Sequence, residues 1–143
     1  MREIENGIRL YEFGEPPPAG AALQQDRYVL GQEGDSSRPI LLVTRFPPGA
    51  ILPRHHHGDV FMDAVVQGAS RFGDGEWNTA GTVRWFPARA VYGPVEAGPE
   101  GCVLLEFYVN QAGFKTTLDR AALTPAIIAG LEARGINWEA ISE

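Results

Sequence analysis

Apolar and polar residues alternate with a period of two over much of this chain, in runs too short for helices and interrupted by glycine and proline. Ile40 to Phe46, Val60 to Gln67, Thr82 to Phe86 and Cys102 to Val109 predict strands, because side chains on an extended backbone point to alternate faces. Shorter runs at Ile8 to Phe13, Arg27 to Leu30, Ile51 to His57 and Ser70 to Phe72 extend the series. The interruptions carry turn chemistry: three prolines at Pro16 to Pro18, the polar cluster from Gly31 to Pro39, then Pro47-Pro48-Gly49, Gly73-Asp74-Gly75 and Gly93-Pro94. Many short strands punctuated by 17 glycines and 11 prolines predict an all-β barrel or sandwich.

The pattern changes in the tail, between about residues 118 and 137. Thr124-Pro125 supplies an N-cap and a first-turn proline, and Ile127, Ile128 and Leu131 share one helical face. Gly135 suits the left-handed position after a helix, and Arg134 is placed against the helix dipole. Asp119 caps a shorter turn just before. The tail therefore predicts one or two helices packed outside the barrel, with Trp138 folded back.

Composition narrows the function classes. At 143 residues the chain predicts a single domain with one core. A net charge of −6, with no cluster of Lys and Arg, argues against a nucleic-acid or anionic-membrane surface. Cys102 is the only cysteine, so no intrachain disulfide forms, and its place in an apolar run reads as a small buried residue. Charges in the first fifteen residues and the lack of a long apolar window leave no signal peptide or membrane helix, which predicts a cytoplasmic protein.

The chemistry concentrates at one place. All 3 histidines are consecutive, His55, His56 and His57. In an extended segment His55 and His57 share a face and His56 points away, so two imidazoles are offered to one metal ion or one ligand. Gly49, five residues, His55-x-His57 and then Gly68 resemble the first motif of the cupin superfamily. Gly81, five residues and Pro87 resemble the second, and together they cover about residues 45 to 95. The stretch from Pro53 to Val60, with Glu76-Trp77 and Ala80-Gly81-Thr82, looks most like the acetylacetone-cleaving and dihydroxyacetophenone dioxygenase branch. The resemblance implies a jelly-roll β-barrel with an interior pocket, homodimers and, in active relatives, a metal, most often iron.

This chain departs from the motif where ligands are usual. Phe61 stands where that resemblance implies a Glu or His ligand, Tyr92 where it implies the last His, Arg89 where it implies a glycine and Phe86 where it often implies an acid. Without a further histidine, one chain cannot assemble a three-histidine site. Strand parity turns Asp63 inward beside Phe61 and Val65. His55, His57 and Asp63 are thus the candidate ligands for Fe(II), Ni(II) or Zn(II), in the two-histidine, one-carboxylate pattern. Tyr92 is the other candidate, as a deprotonated ligand or as a hydrogen-bonding wall. Phe61, Phe86 and Tyr92 are expected to line an aromatic pocket, with Arg84 available to a substrate carboxylate. Three functions follow. One is a metal-dependent, dioxygenase-like enzyme acting on an apolar carbonyl or aromatic small molecule. The second is a metal-free ligand-binding or regulatory cupin. The third is a structural dimer paired through an edge strand and the N-terminal arm.

Overall fold

Strands form where the alternation is strongest. The computed structural model describes residues 1–133 and 135–143, so Arg134, expected against the helix dipole, lies outside the described residues. In chain order the strands are β1 (Arg2–Glu3), β2 (Arg9–Leu10), β3 (Gln24–Val29), β4 (Ile40–Phe46), β5 (Ile51–Leu52) and β6 (His55–His57). They continue with β7 (Phe61–Phe72), β8 (Asn78–Thr79), β9 (Val83–Phe86), β10 (Val95–Tyr108) and β11 (Thr116–Leu118). The main sheet runs β3-β4-β10-β7-β8, with β5 also paired to β10 and β9 to β7. Smaller two-stranded sheets join β6 to β11 and β1 to β2, and every strand pairing is antiparallel. This is the cupin-type jelly roll that the motifs implied.

Two expected strands merge into one. Val60 to Gln67 and Ser70 to Phe72 are the single strand β7, which passes through Gly68 at φ 70°. A Cβ at Gly68 would overlap the carbonyl oxygen of Gly101, itself at φ 81°, so two backbones meet there with no room for side chains. The register between β7 and β10 shifts at the same place. In contrast, Ile51 to His57 splits into β5 and β6 around Pro53, and Ile8 to Phe13 shortens to β2.

The tail follows its signals. Helix α1 (Pro125–Ala133) buries Leu131, and the Thr124 hydroxyl oxygen accepts the Ile127 amide at 3.3 Å. Asp119 caps only a single 3-10 turn, Arg120–Ala122, by accepting the Ala121 amide, so the tail holds one α-helix among the described residues. Gly135 takes φ 71°, and the Trp138 indole donates back to Glu132 at 3.1 Å. No described helix is long and apolar enough to cross a membrane.

Antiparallel pairing aligns the inward side chains in rows across four strands. One row is Ile40, Tyr108, Phe61 and Phe86, and the next is Leu42, Glu106, Asp63 and Arg84. In the first row Phe61 stacks on Phe86 with centroids 4.2 Å apart and planes 4° from parallel, and on Tyr108 at 4.8 Å. Burying each such ring contributes about 1.5–3 kcal/mol. The second row puts charge in the interior, and it forms one wall of the site.

Candidate ligand pocket

The two histidines reach the interior because β6 is held on both sides. His57 pairs with Thr116 and His55 with Leu118 of β11, while His55 exchanges two backbone hydrogen bonds with Tyr92 at 3.0 and 2.9 Å. That exchange places the Tyr92 side chain beside both rings. His55 and His57 are each 4% exposed, and His56 is turned to the partly exposed side.

Backbone carbonyls fix both ring tautomers. His55 Nδ1 lies 2.7 Å from the Pro53 oxygen and His57 Nδ1 lies 2.9 Å from the Phe114 oxygen. A carbonyl has no hydrogen to give, so each Nδ1 carries the proton and each neutral ring presents a bare Nε2. Burial pushes the His57 imidazole down to about 4 and lowers His55 as well, so both rings are neutral near pH 7. Both Nε2 atoms face the same phenol: Tyr92 Oη lies 2.8 Å from His55 and 3.1 Å from His57. Burial, reinforced by the Glu106 carboxylate, raises the Tyr92 phenol well above its ordinary value, so it keeps its single hydrogen.

The charged row stands opposite. Arg84 grips Asp63 in a two-pronged pair, Nε to Oδ1 at 2.8 Å and Nη2 to Oδ2 at 2.7 Å. Its Nη1 donates to Ser70 and Asn78 at 3.3 and 3.2 Å, and the guanidinium lies 4.5 Å over the Phe72 ring. Among the described residues Glu106 has no such cation. It accepts from the Thr44 hydroxyl at 2.5 Å and from the Tyr108 phenol at 3.0 Å, and burial pushes its carboxyl up to about 7.

A cavity of about 220 Å³ opens between these groups, with His55, His57, Tyr92, Asp63, Arg84 and Glu106 on its polar side. Phe46, Leu104, Phe114 and Leu118 are among its apolar walls.

Three expected roles change. Asp63 does face inward, but both its oxygens are taken by Arg84, and no group of three His, Cys, Asp or Glu among the described residues could hold a metal ion. Two neutral imidazoles and a protonated phenol fall short of the three ligands a resident divalent ion needs, so this donor set does not fit one. Arg84 lines the cavity, yet its charge is committed to Asp63 rather than open to a substrate carboxylate. Phe61 and Phe86 do not line the cavity. They are 3% and 5% exposed and pack tilted behind Tyr92 as its buttress, with ring centroids 4.7 Å away for Phe86 and 6.0 Å for Phe61. Sequence reasoning missed Glu106, Thr44 and Tyr108. The available signal was Glu106 itself, the one charge in Cys102 to Val109, on the same parity as Cys102 and Leu104.

No protein-family model and no curated protein matches the chain. Solved structures do. The chain is similar to oxalate decarboxylase from Bacillus subtilis, with a TM-score of 0.55 and 20% identity over 82% of this chain and 33% of that one. It is also similar to an RmlC-like cupin protein from Ralstonia eutropha, with a TM-score of 0.50 and 17% identity over 85% of this chain and 82% of that one. This chain spans about a third of the oxalate decarboxylase's length. At these identities the likeness shows the cupin fold.

Proposed function

We propose that this cupin-fold chain takes a small, mainly apolar carbonyl or aromatic molecule into its interior cavity and holds the polar head at His55, His57 and Tyr92, without a resident metal. One observation carries the reading: apolar walls converge on two buried imidazoles whose tautomers are fixed and whose Nε2 atoms share one phenol. Prepared acceptors and a donor at the end of an apolar cavity orient a guest by its oxygen atoms. A cavity of about 220 Å³ exceeds the ~150 Å³ that accepts benzene, so the guest is about one ring with small substituents. The metal-dependent, dioxygenase-like activity implied by the motifs is the competing outcome.

One experiment separates them. Protein purified without an affinity tag is incubated with Fe(II), Ni(II) or Zn(II), desalted and analysed for metal. It is then heated with EDTA and a panel of acetophenones, benzaldehydes and 1,3-diketones. Expected are less than about a tenth of an equivalent of metal per chain and, for at least one compound near 100 times its Kd, a Tm rise of ~5–10 °C. Retention of about one equivalent, lost in His57→Ala and kept in His56→Ala, would overturn the metal-free reading in favour of the dioxygenase-like one. No shift with any compound would overturn the pocket reading.

The assembly we propose is a homodimer through the outer face of the main sheet. The row Leu41, Phe107, Met62 and Trp85 crosses four strands there, with Phe107, Met62 and Trp85 exposed by 46%, 42% and 63%. The row contains no charge, so two chains of net charge −6 can meet on it without opposing like charges.

A further inference from the structure

Strand β3 ends one side of the main sheet, and its outer edge pairs with no other strand among the described residues. The Leu30 amide donates to the Pro39 oxygen at 2.9 Å, which fixes the phase of the ladder. Leu30, Tyr28 and Asp26 thus turn their backbone groups to β4, while Arg27 and Val29 hold N–H and C=O outward. Outward groups on a backbone already extended are the template that an added strand needs.

The side chains make this edge a cleft of about 530 Å³. It is lined by Arg27, Tyr28 and Val29 of the strand and by Arg9 and Tyr11 of the N-terminal arm. The arm is placed there by Tyr11, whose ring centroid lies 4.4 Å from that of Tyr28. Arg27 stands opposite Leu42, on the inner face of the sheet, and Tyr28 opposite Leu41, on the outer one. A strand added to the edge therefore turns one side chain toward Arg27 and the next toward the arm.

Charge decides which strand fits. In a chain of net charge −6, Arg38, Arg45, Arg54, Arg71 and Arg84 each pair with a carboxylate. Arg9 and Arg27 pair with none among the described residues. Arg27 Nη1 donates to Gln111 Oε1 at 3.1 Å, a neutral partner that steadies the guanidinium and leaves its charge uncompensated. Gln111 is itself held, its side chain donating to the Asp35 oxygen at 3.3 Å and its backbone to the Ser36 oxygen at 3.1 Å. Glu33, past the end of β3, is the one acid on the cleft, against two guanidiniums. The same cations guard the edge against a second copy, because β3 laid on β3 would bring like charges together.

We propose that the β3 edge and the N-terminal arm form a docking groove for an extended acidic peptide of a partner protein, which joins the main sheet as an added strand. Main-chain bonds to Arg27 and Val29 hold the peptide, and Arg27 and Arg9 select its successive carboxylates. The groove uses neither the cavity nor the exposed row at Phe107, Met62 and Trp85.

The probe is a fluorescein-labelled peptide of about seven residues, valine and threonine around two adjacent central glutamates. Fluorescence anisotropy with the wild-type chain is expected to show saturable binding with a Kd of about 10–100 μM. Changing both glutamates to glutamine, or the chain to Arg9→Glu/Arg27→Glu, should weaken binding by about tenfold. Two further peptides, N-methylated on alternate amides in opposite phase, read the strand pairing: methyl groups facing β3 abolish binding and those facing away leave it. Val29→Pro removes an outward N–H and no ladder bond, so it too should lose the peptide. Should that variant not fold, the methylated pair tests the same bonds on the wild type. No saturation by about 1 mM, equal binding of the glutamine peptide, or like behaviour of the two methylated peptides would overturn the proposal. A fall in mass of Val29→Pro on sedimentation would assign the edge to a second copy and overturn it as well.

Discussion

Glu106 shows how one side chain sets the pH response of the interior. Its carboxyl rises from an ordinary 4.5 to about 7 because burial penalises the charge and Arg84 is already committed to Asp63. A carboxyl raised on folding binds its proton more tightly in the native state. Its contribution is thus complete below about 4.5 and is lost as pH climbs through about 7. His57 has the opposite sign, since its lowered value makes stability fall as pH drops through about 4, but that limb is common to wild type and variant. Glu106→Gln, which cannot ionise, is therefore expected to gain on the wild type by up to about 3 kcal/mol between pH 5 and 8. Urea denaturation at several pH values checks this, and a pH-independent difference would remove the raised carboxyl. Parity alone made the inward turn of His55, His57 and Asp63 legible in the sequence, because alternation needs no knowledge of neighbours. What each residue touches was not legible. That Asp63 lies between Glu106 and Arg84 is a fact of cross-strand register, and register is set by three strands together.

Among the elements, β7 and the tail helix show where local signals suffice and where they fail. The helix was legible because its start is written in adjacent residues: Thr124 caps, Pro125 fits the first turn, and Leu131 finds the core. The continuity of β7 was hidden because Gly68 reads as a strand break. In the fold it is the point where β7 crosses the bulged β10, and the reason for glycine sits at Gly101, far along the chain. These two contexts predict opposite outcomes for the same substitution. Gly68→Ala places a methyl group on the Gly101 carbonyl at a left-handed φ, and is expected to cost more than about 3 kcal/mol or to prevent folding. Gly130→Ala lies within α1 with open space around its Cβ, and is expected to stabilise by about 0.5–1 kcal/mol. Thermal denaturation of the two variants checks both signs, and a tolerated Gly68→Ala would disprove the close crossing.

At the scale of the whole molecule, the main sheet is polarised the wrong way round for an isolated barrel. A sheet with one face on water normally turns its charges out. Here Asp63, Arg84 and Glu106 point in while Met62, Trp85 and Phe107, their chain neighbours, point out. The inward charges are explained by the cavity they line. The N-terminal arm meets the outward apolar row at its β3 end, where the Tyr11 ring lies 4.4 Å from Tyr28 beside Leu41, and then runs to the other end of the sheet, where Phe13 accepts from Arg45 at 2.9 Å and Pro16 packs on Gly101. The part of the row at Phe107, Met62 and Trp85 needs a cover of its own. A second copy laid sheet to sheet would bury the remaining row, with Met62 at the middle of it between Phe107 and Trp85. Met62→Lys then brings two like charges into the centre of a two-fold contact, where they have no partner. Sedimentation of the wild type at micromolar concentration is expected to give a dimer, and of Met62→Lys a monomer. Because Met62 faces away from the cavity, the Tm shift with a pocket ligand should survive in the monomer. A monomeric wild type would refute the contact, and loss of the ligand shift on dissociation would mean that the pocket is completed by the partner.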